Sequence, residues 1–409
     1  MVQEGYGAAS WKDQRLNAFT SEPVMEWLRD HGMASGYAIW LVTPFLALVT
    51  VGASAAQGTL WLPDARHYWT LDTSKILFRN RYELSDYGGE EPSLLFPLAR
   101  DYPTILLYVI VSLWLYILFR QWTYMERFVP ELTASGCLKP RQGRESEFVE
   151  VIQTANRRLA FVRRTGSGQL FVAIFFAAFV VLAHNQAGIF GVLAPTDADS
   201  DWASRAYSGW WASTSNPLGF LVYLAVALVV MYYVIKQNVV GWIVVLGLRR
   251  LNACSEVSAS VVNADGWNGW LIFRKTMITV VASMAIVGST LLVLMMVVSL
   301  KQFYWLVAFL IVFFVMSPIF ILPVLLAFRR RIRDFKAKEV ARIVSVPEIL
   351  SAESEPHESV ANSLVGRSLL VERYRSVREV PFRWPGAIAG FSAYCAQLLL
   401  ALGAWIDIR

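Results

Sequence analysis

Seven uncharged apolar stretches, each 17 to 27 residues long, divide the sequence and constrain it more than any other feature. At about 1.5 Å of rise per residue, a helix of that length crosses most or all of a roughly 30 Å hydrocarbon layer. The stretches are residues 37–57, 103–119, 168–194, 217–235, 276–300, 303–328 and 385–406. The pattern therefore predicts a chain that crosses a membrane several times.

The surrounding lipid then limits the fold class. The chain of 409 residues is 56% hydrophobic and only 17% charged, which leaves too little polar surface for a soluble protein. In lipid, backbone N–H and C=O groups must be paired within a helix or in a closed barrel, and uninterrupted apolar runs fit helices rather than alternating strands. We expect an all-α polytopic transmembrane helix bundle.

The loops between the apolar stretches alternate in charge. Residues 120–167, 236–275 and 329–384 carry 9, 5 and 12 Lys or Arg side chains, whereas the three intervening loops carry 5, 1 and 1. Because Lys and Arg are retained on the cytoplasmic side of a membrane, the three basic loops and the N-terminus are predicted to lie inside. The expectation is a multi-pass protein of a cell inner membrane with seven crossings.

The last stretch, residues 385–406, has two interpretations. Gly386 and Gly390 form a small-xxx-small pattern, which lets helices approach closely in lipid and favours a packed span, with homo-oligomer contacts through the same face. If the stretch instead lies across the end of the bundle, six crossings remain and both termini are inside.

These segments divide the chain into four parts. Residues 1–36 form a cytoplasmic N-terminal arm, residues 37–328 the main membrane domain, residues 329–384 a basic and then polar cytoplasmic segment, and residues 385–409 the last span and C-terminus. In the arm, Thr20 or Ser21 is predicted to cap a short amphipathic helix that begins near Pro23 and lies on the membrane surface.

The cytoplasmic loop 120–167 is predicted to contain an amphipathic helix. Its apolar residues recur at spacings of three and four, at Phe148, Val151, Ile152, Ala155, Leu159 and Val162. Arginines on this helix and after the sixth stretch are expected to contact anionic lipid head groups on the cytoplasmic face. They include Arg157, Arg158, Arg329, Arg330 and Arg331. Topology already explains these charges, so no nucleic-acid partner is expected.

Lys236 interrupts an otherwise apolar region at Lys236-Gln237-Asn238, because the apolar sequence resumes at Val239. A single helix of more than 30 residues would then extend beyond the inner face of the membrane. The favoured interpretation is that Lys236 snorkels to the interface, and the alternative is that the three polar residues line a wet vestibule.

Residues suited to catalysis or metal binding are scattered. The four histidines occur in different segments at spacings unlike those of metal ligands, so the sequence predicts no catalytic site, no metal site and no cofactor. His184-Asn185-Gln186 is the only markedly polar patch inside a stretch. It is expected to bond a neighbouring helix, or alternatively to line a polar pore.

Three passages carry a resemblance to a known family. They are Leu95 to Tyr102 before the second stretch, the long fourth stretch through Arg249-Arg250-Leu251-Asn252, and Asn263 to Trp270 before the fifth. In this order they resemble an uncharacterised family of bacterial polytopic membrane proteins, over most of the chain after residue 95. The resemblance implies a bacterial multi-pass protein and no particular activity. The family's third motif begins His-Pro-Asp, and this chain has Asn263 and Ala264 instead of its first two residues.

The residues of the third motif have a structural explanation of their own. Asp265 is placed to cap the start of span five, and Gly266 and Gly269 permit a tight turn. The alternative is a ligand or partner turn made by Asn263, Asp265, Gly266 and Gly269.

The scarcity of charged side chains within the apolar stretches distinguishes between possible classes of membrane protein. Ion-coupled transporters normally need ionisable side chains within their spans, and these stretches have none at their centres. We therefore expect no enzyme, but a pore, sensor or scaffold subunit. A solute transporter not driven by buried charges is the first alternative, and a membrane-embedded enzyme is the second.

Overall fold

The computed structural model describes residues 11–31, 36–61, 97–186, 208–260, 266–297, 304–345 and 357–377. Its helices are α1 (Pro23–Asp30), α2 (Val42–Ala56), α3 (Tyr102–Ala134), α4 (Glu145–Arg164), α5 (Gly166–Gln186), α6 (Pro217–Cys254), α7 (Leu271–Val297), α8 (Tyr304–Ser345) and α9 (His357–Ser376). Two strands, β1 (Leu138–Pro140) and β2 (Ser255–Val257), pair antiparallel. The prediction of an all-α chain is confirmed for these residues, apart from this short ladder.

Three of the helices are longer than a bilayer core. Helices α3, α6 and α8 have 33, 38 and 42 residues, which corresponds to about 50 to 63 Å of helix. The polar group at Lys236 does not interrupt α6. We call the basic end the region built from α4, the C-terminal halves of α3, α6 and α8 and the start of α7. Buried residues of these helices belong to one core cluster, and the region carries most of the arginines discussed above.

Two helices in the described residues are long and apolar enough to cross a membrane, namely Tyr37–Ala56 with its leading 3-10 turn, and α6. Only 17% and 22% of their most apolar windows are buried, so most of this apolar surface faces outward. The seven predicted crossings are not confirmed. The stretches 168–194, 276–300 and 303–328 run into residues outside the described ranges, and 385–406 lies wholly outside them.

The core of the basic end is aromatic and aliphatic. Phe128 of α3, Phe273 of α7 and Phe328 of α8 are buried together, with ring centroids 5.1 Å apart for Phe273 and Phe328 and 5.9 Å apart for Phe128 and Phe273. Trp270 lies against the same rings. These contacts join the three helices into one packed unit.

Helix α4 packs along α6 through the face predicted from its sequence. The buried residues of α4 are Phe148, Ile152, Ala155, Leu159 and Val162. A methyl group added at Gly247 of α6 would lie 3.4 Å from the Ala155 side chain, so a glycine lets the two helices approach closely. The predicted amphipathic helix is therefore confirmed, with Val151 only partly buried.

A tight turn before α7 packs against β1 and β2. Gly266 and Gly269 both have positive φ, of 69° and 86°. A side chain at Gly269 would collide with the buried Cys137 thiol. Trp270 Nε1 donates to the Ser258 carbonyl at 3.0 Å, which attaches the start of α7 to the residue after β2.

The basic run at Arg329 continues α8 to Ser345, and α9 then packs beside the end of α8. Lys336 Nζ donates to the carbonyls of Arg375 and Val377 at 3.0 and 2.9 Å. The described part of the predicted polar segment 329–384 thus contains the end of α8 and one further helix, α9.

Candidate functional site

Residues 11–31, which we call the N-terminal segment, are folded into the basic end. Helix α1 begins at Pro23 as predicted, but its N-cap is Glu22, whose Oε2 accepts the Met25 N–H at 2.7 Å. The turn before it is buried, including Ala18, Phe19 and Ser21. The predicted caps Thr20 and Ser21 are therefore wrong, because Glu22 holds that position. The membrane-surface position of α1 stays a prediction, since Val24 and Trp27 of this helix are exposed.

Phe19 is the central apolar contact of the N-terminal segment. Its ring lies 5.2 Å from Phe119 and 5.8 Å from Trp122, both on α3, in edge-on arrangements. The Arg29 guanidinium lies 5.2 Å from the centroid of the same ring. Burying a phenylalanine side chain of this kind stabilises the docked segment by roughly 1.5 to 3 kcal/mol.

Polar contacts hold the edges of the N-terminal segment against α3 and α4. Glu26 pairs with Arg163 of α4, and Arg29 pairs with Glu126 of α3 at 3.3 Å. The Asn17 N–H donates to the Asn156 side chain at 3.0 Å. These side chains are partly exposed, and such ion pairs contribute little individually.

Lys236 lies beneath the N-terminal segment. Its side chain is 0% exposed, and its Nζ has no hydrogen-bond partner among the described residues. The ammonium lies 5.2 Å from the centroid of the Tyr232 ring, one turn earlier in α6. The predicted snorkelling is wrong, because Lys236 is enclosed beside Glu22 of the N-terminal segment and near Arg163 of α4.

Glu22 is the acidic counterpart of Lys236. Its side chain is only 3% exposed, and the Tyr233 hydroxyl lies near enough to favour the charged carboxylate. Glu22 and Lys236 attract each other, but no ion pair shorter than 4.0 Å joins them. Burial raises the pKa of the Glu22 carboxyl above its ordinary value, and the Met25 N–H, the Lys236 charge and the Tyr233 hydroxyl oppose that rise.

A layer of polar side chains adjoins Lys236. Trp114 Nε1 of α3 donates to Gln237 Oε1 of α6 at 3.0 Å, and Gln237 Nε2 donates to Ser283 Oγ of α7. On α3, the side-chain oxygen of Gln121 and the indole N–H of Trp122 are buried without hydrogen-bond partners. Buried polar atoms without partners destabilise the packed state by about 1 to 3 kcal/mol each.

This arrangement places two opposite charges in the interior without direct contact. One of them belongs to the N-terminal segment, which is docked through the buried side chains of Leu16, Phe19 and Met25. Within the described ranges, no group of three His, Cys, Asp or Glu side chains is placed to hold a metal ion. The site can therefore exchange one set of packing and charge contacts for water.

Those predicted site residues that the structure describes are not brought together. Gly266 and Gly269 form the turn before α7, while Asn263, Asp265, Gly386 and Gly390 lie outside the described residues. Helix α5 ends with His184, Asn185 and Gln186, and the structure describes only the backbone of these three residues. Arg157, Arg158, Arg329 and Arg330 are exposed, and Arg331 is partly exposed.

The first motif of the resemblance contains a second buried charge, Asp101. Its carboxylate caps α3 and accepts hydrogen bonds from the Trp210 and Trp211 indoles at 3.0 and 2.7 Å. Thr104 adds its backbone N–H at 3.2 Å and its hydroxyl at 2.8 Å. Four donors bind this carboxylate, so Asp101 links the two tryptophans before α6 to the start of α3.

Glu22 was missed by sequence reasoning, which treated the arm as a surface element. Two signals were available: the apolar pair Ala18-Phe19 beside the carboxylate, and a lysine that interrupts an apolar helix without ending it. Comparisons of the chain with family models, curated proteins and solved structures give no match.

Proposed function

We propose that this chain is a multi-pass protein of a bacterial inner membrane, with about seven crossings and a cytoplasmic N-terminus, and that it is a sensor subunit. The N-terminal segment would be the switched element, docked in one state and released in the other. The observation that carries this proposal is the fully buried Lys236 ammonium, which lacks a hydrogen bond and faces the Glu22-bearing segment.

The charges at the site support a docked state of modest stability. An ionisable residue buried in a membrane protein is costly and marks a functional position by default. Release of the N-terminal segment would expose Glu22 and Lys236 to water and satisfy both, at the expense of the apolar contacts of Leu16, Phe19 and Met25. A two-state element whose states differ by only a few kcal/mol is what a sensor requires, because a modest input then shifts the populations.

The core of the basic end supports a sensor over an open conduit. Phe128, Phe273, Phe328 and Trp270 fill the space between α3, α7 and α8. A change at the N-terminal segment reaches this core through Phe119 and Trp122, which lie on the same helix as Phe128. Packed side chains on one continuous helix provide a physical route for coupling.

A gated pore is the second candidate, and the polar layer beside Lys236 favours it. Trp114, Gln237 and Ser283 form a hydrogen-bonded chain across three helices in a largely apolar region. In a pore, the N-terminal segment would close the cytoplasmic end, and the Lys236 charge would favour anions.

Hydrogen exchange in lipid nanodiscs tests the sensor proposal. Amides of residues 19–27 should exchange through an opening that leaves the cores of α3 and α6 protected. Exchange of the segment and the core at one common rate would refute a separate switch.

Flux measurements on the same protein separate the two candidates. Liposomes containing either the intact chain or a chain lacking residues 1–31 should retain chloride equally. Leakage only after the deletion would favour the gated pore. Uptake of a labelled solute that stops when a proton gradient is collapsed would instead support a proton-coupled transporter.

A further inference from the structure

The outward face of α4 carries basic side chains beside an exposed aromatic ring. Arg157, Arg158 and Arg164 are exposed, and Phe161 is 62% exposed between them. All four lie away from the face that packs on α6. Within the described residues, Arg158 and Arg164 have no ion-pair partner, and Arg157 donates only to the Thr154 hydroxyl at 3.1 Å.

Arg163 is excluded from this surface because it pairs with Glu26 of the N-terminal segment. The structure thus divides the four arginines at the end of α4 between two roles. Arg163 binds the N-terminal segment, and Arg157, Arg158 and Arg164 face outward.

The basic face continues into the exposed apolar face of α5. The Thr165 N–H donates to the Phe161 carbonyl and the Gln169 N–H to the Thr165 carbonyl, so α5 follows α4 after a single non-helical residue, Thr165. Phe171, in the first two turns of α5, is 72% exposed. Exposed charge at the end of α4 is therefore followed within a few residues by exposed apolar surface on α5.

Two glycines leave room at the junction itself. Apart from the adjacent backbone, no atom of the described residues lies within 4 Å of the position where a side chain would begin at Gly166 or at Gly168. Arg164 lies just before this open space and Phe171 just after it. A phosphate group beside Arg164 would therefore have open space next to it and exposed apolar surface nearby.

We propose that Arg157, Phe161 and Arg164, with Arg158 beside them, bind the head group of an anionic phospholipid at the cytoplasmic leaflet. Guanidinium groups match phosphate oxygens in charge and geometry, and the adjacent phenylalanines match acyl chains. This site rests on the proposed membrane location and topology, but not on the proposed switch.

The test is lipid retention by the full-length protein, measured by native mass spectrometry in detergent with added phosphatidylglycerol or phosphatidylcholine. The intact protein should retain phosphatidylglycerol preferentially. The variant R157Q/R164Q should bind it about thirtyfold more weakly, at about fivefold for each arginine removed.

The matched control is K338Q/R342Q, which removes the same charge from exposed positions near the end of α8. Equal loss of binding in the control would overturn the site in favour of general attraction. So would inorganic phosphate that competes as strongly as the lipid does. Circular dichroism confirms that each variant is folded.

The outcomes also separate this site from the membrane proposal. A protein that inserts in membranes but shows no preference for phosphatidylglycerol refutes the site alone. A protein recovered without detergent refutes the membrane location as well.

Discussion

Replacement of both buried charges by neutral side chains, in the variant E22Q/K236M, is expected to strengthen docking of the N-terminal segment. Gln keeps an oxygen for the Met25 N–H, and Met fills the space of the lysine stem. Each buried ion carries a desolvation penalty of several kcal/mol. The mutual attraction repays at most about 4 kcal/mol, for charges about 4 Å apart at an effective dielectric constant of about 20.

The remaining contacts do not offset the difference between the desolvation penalty and this mutual attraction. The Tyr232 ring adds about 1 to 2 kcal/mol to the Lys236 ammonium. The raised pKa of Glu22 indicates that burial outweighs the favourable interactions of its carboxylate. We therefore expect the double variant to dock more tightly by about 2 kcal/mol, which would slow exchange of amides 19–27 about thirtyfold.

Each single variant should gain less than half as much as the double variant, because it leaves one buried charge without its partner. The control is K338M/E372Q, which makes the same chemical changes at exposed positions and should leave exchange unchanged. If amides 19–27 of the double variant exchange as fast as the intact protein's, or faster, the charges stabilise docking and the reasoning is refuted.

Four further outcomes are expected. Docking of the N-terminal segment should be strongest below about pH 4.5, the ordinary pKa of Glu22, and should weaken as pH rises through the raised pKa of the docked state, because the docked state binds the proton more tightly. The E22Q variant should lose this pH dependence, and the same dependence in E22Q and in the intact protein would contradict the assignment to Glu22. In thermal unfolding, Gly269→Ala should lower stability by more than about 2 kcal/mol and Gly266→Ala by about 1 kcal/mol. Both glycines have positive φ, but only at Gly269 would the added methyl group collide with another residue, Cys137. Equal losses for the two variants would argue against this collision. Asp101→Asn should lower stability by about 2 kcal/mol and shift tryptophan fluorescence, because it removes the charge beside both indoles and leaves one acceptor oxygen for donors that now bind two. An unshifted spectrum would exclude that role. A reporter active only outside the cytoplasm, fused after Arg409, should be active if the last stretch crosses, and inactivity would leave six crossings.

Local features of this chain were predictable from its sequence. The spacing of apolar residues identified the buried face of α4, because a helix that packs on one side repeats every 3.6 residues. The glycines of the third motif predicted a turn, and both have positive φ. The continuation of α6 beyond the apolar stretch also followed from sequence, since nothing after Lys236 breaks a helix.

The candidate site was not predictable in the same way. Glu22 and Lys236 are more than 200 residues apart, and neither one alone indicates its partner. Lysines near helix ends usually extend to the interface, so the snorkelling interpretation was the ordinary one. Only the folding of the N-terminal segment over α6 makes that position an interior one, and such tertiary contacts have no periodic signal.

The length of α6 has a mechanical consequence. Its 38 residues form one rigid rod, and β2 follows without a linker. A tilt of about 10° around one end of a helix about 57 Å long moves its other end by about 10 Å. Membrane helices tilt to match bilayer thickness. In the proposed membrane location, a change in thickness would therefore reach β2 and the α7 turn as a lateral displacement, enlarged by the part of α6 that would extend beyond the lipid.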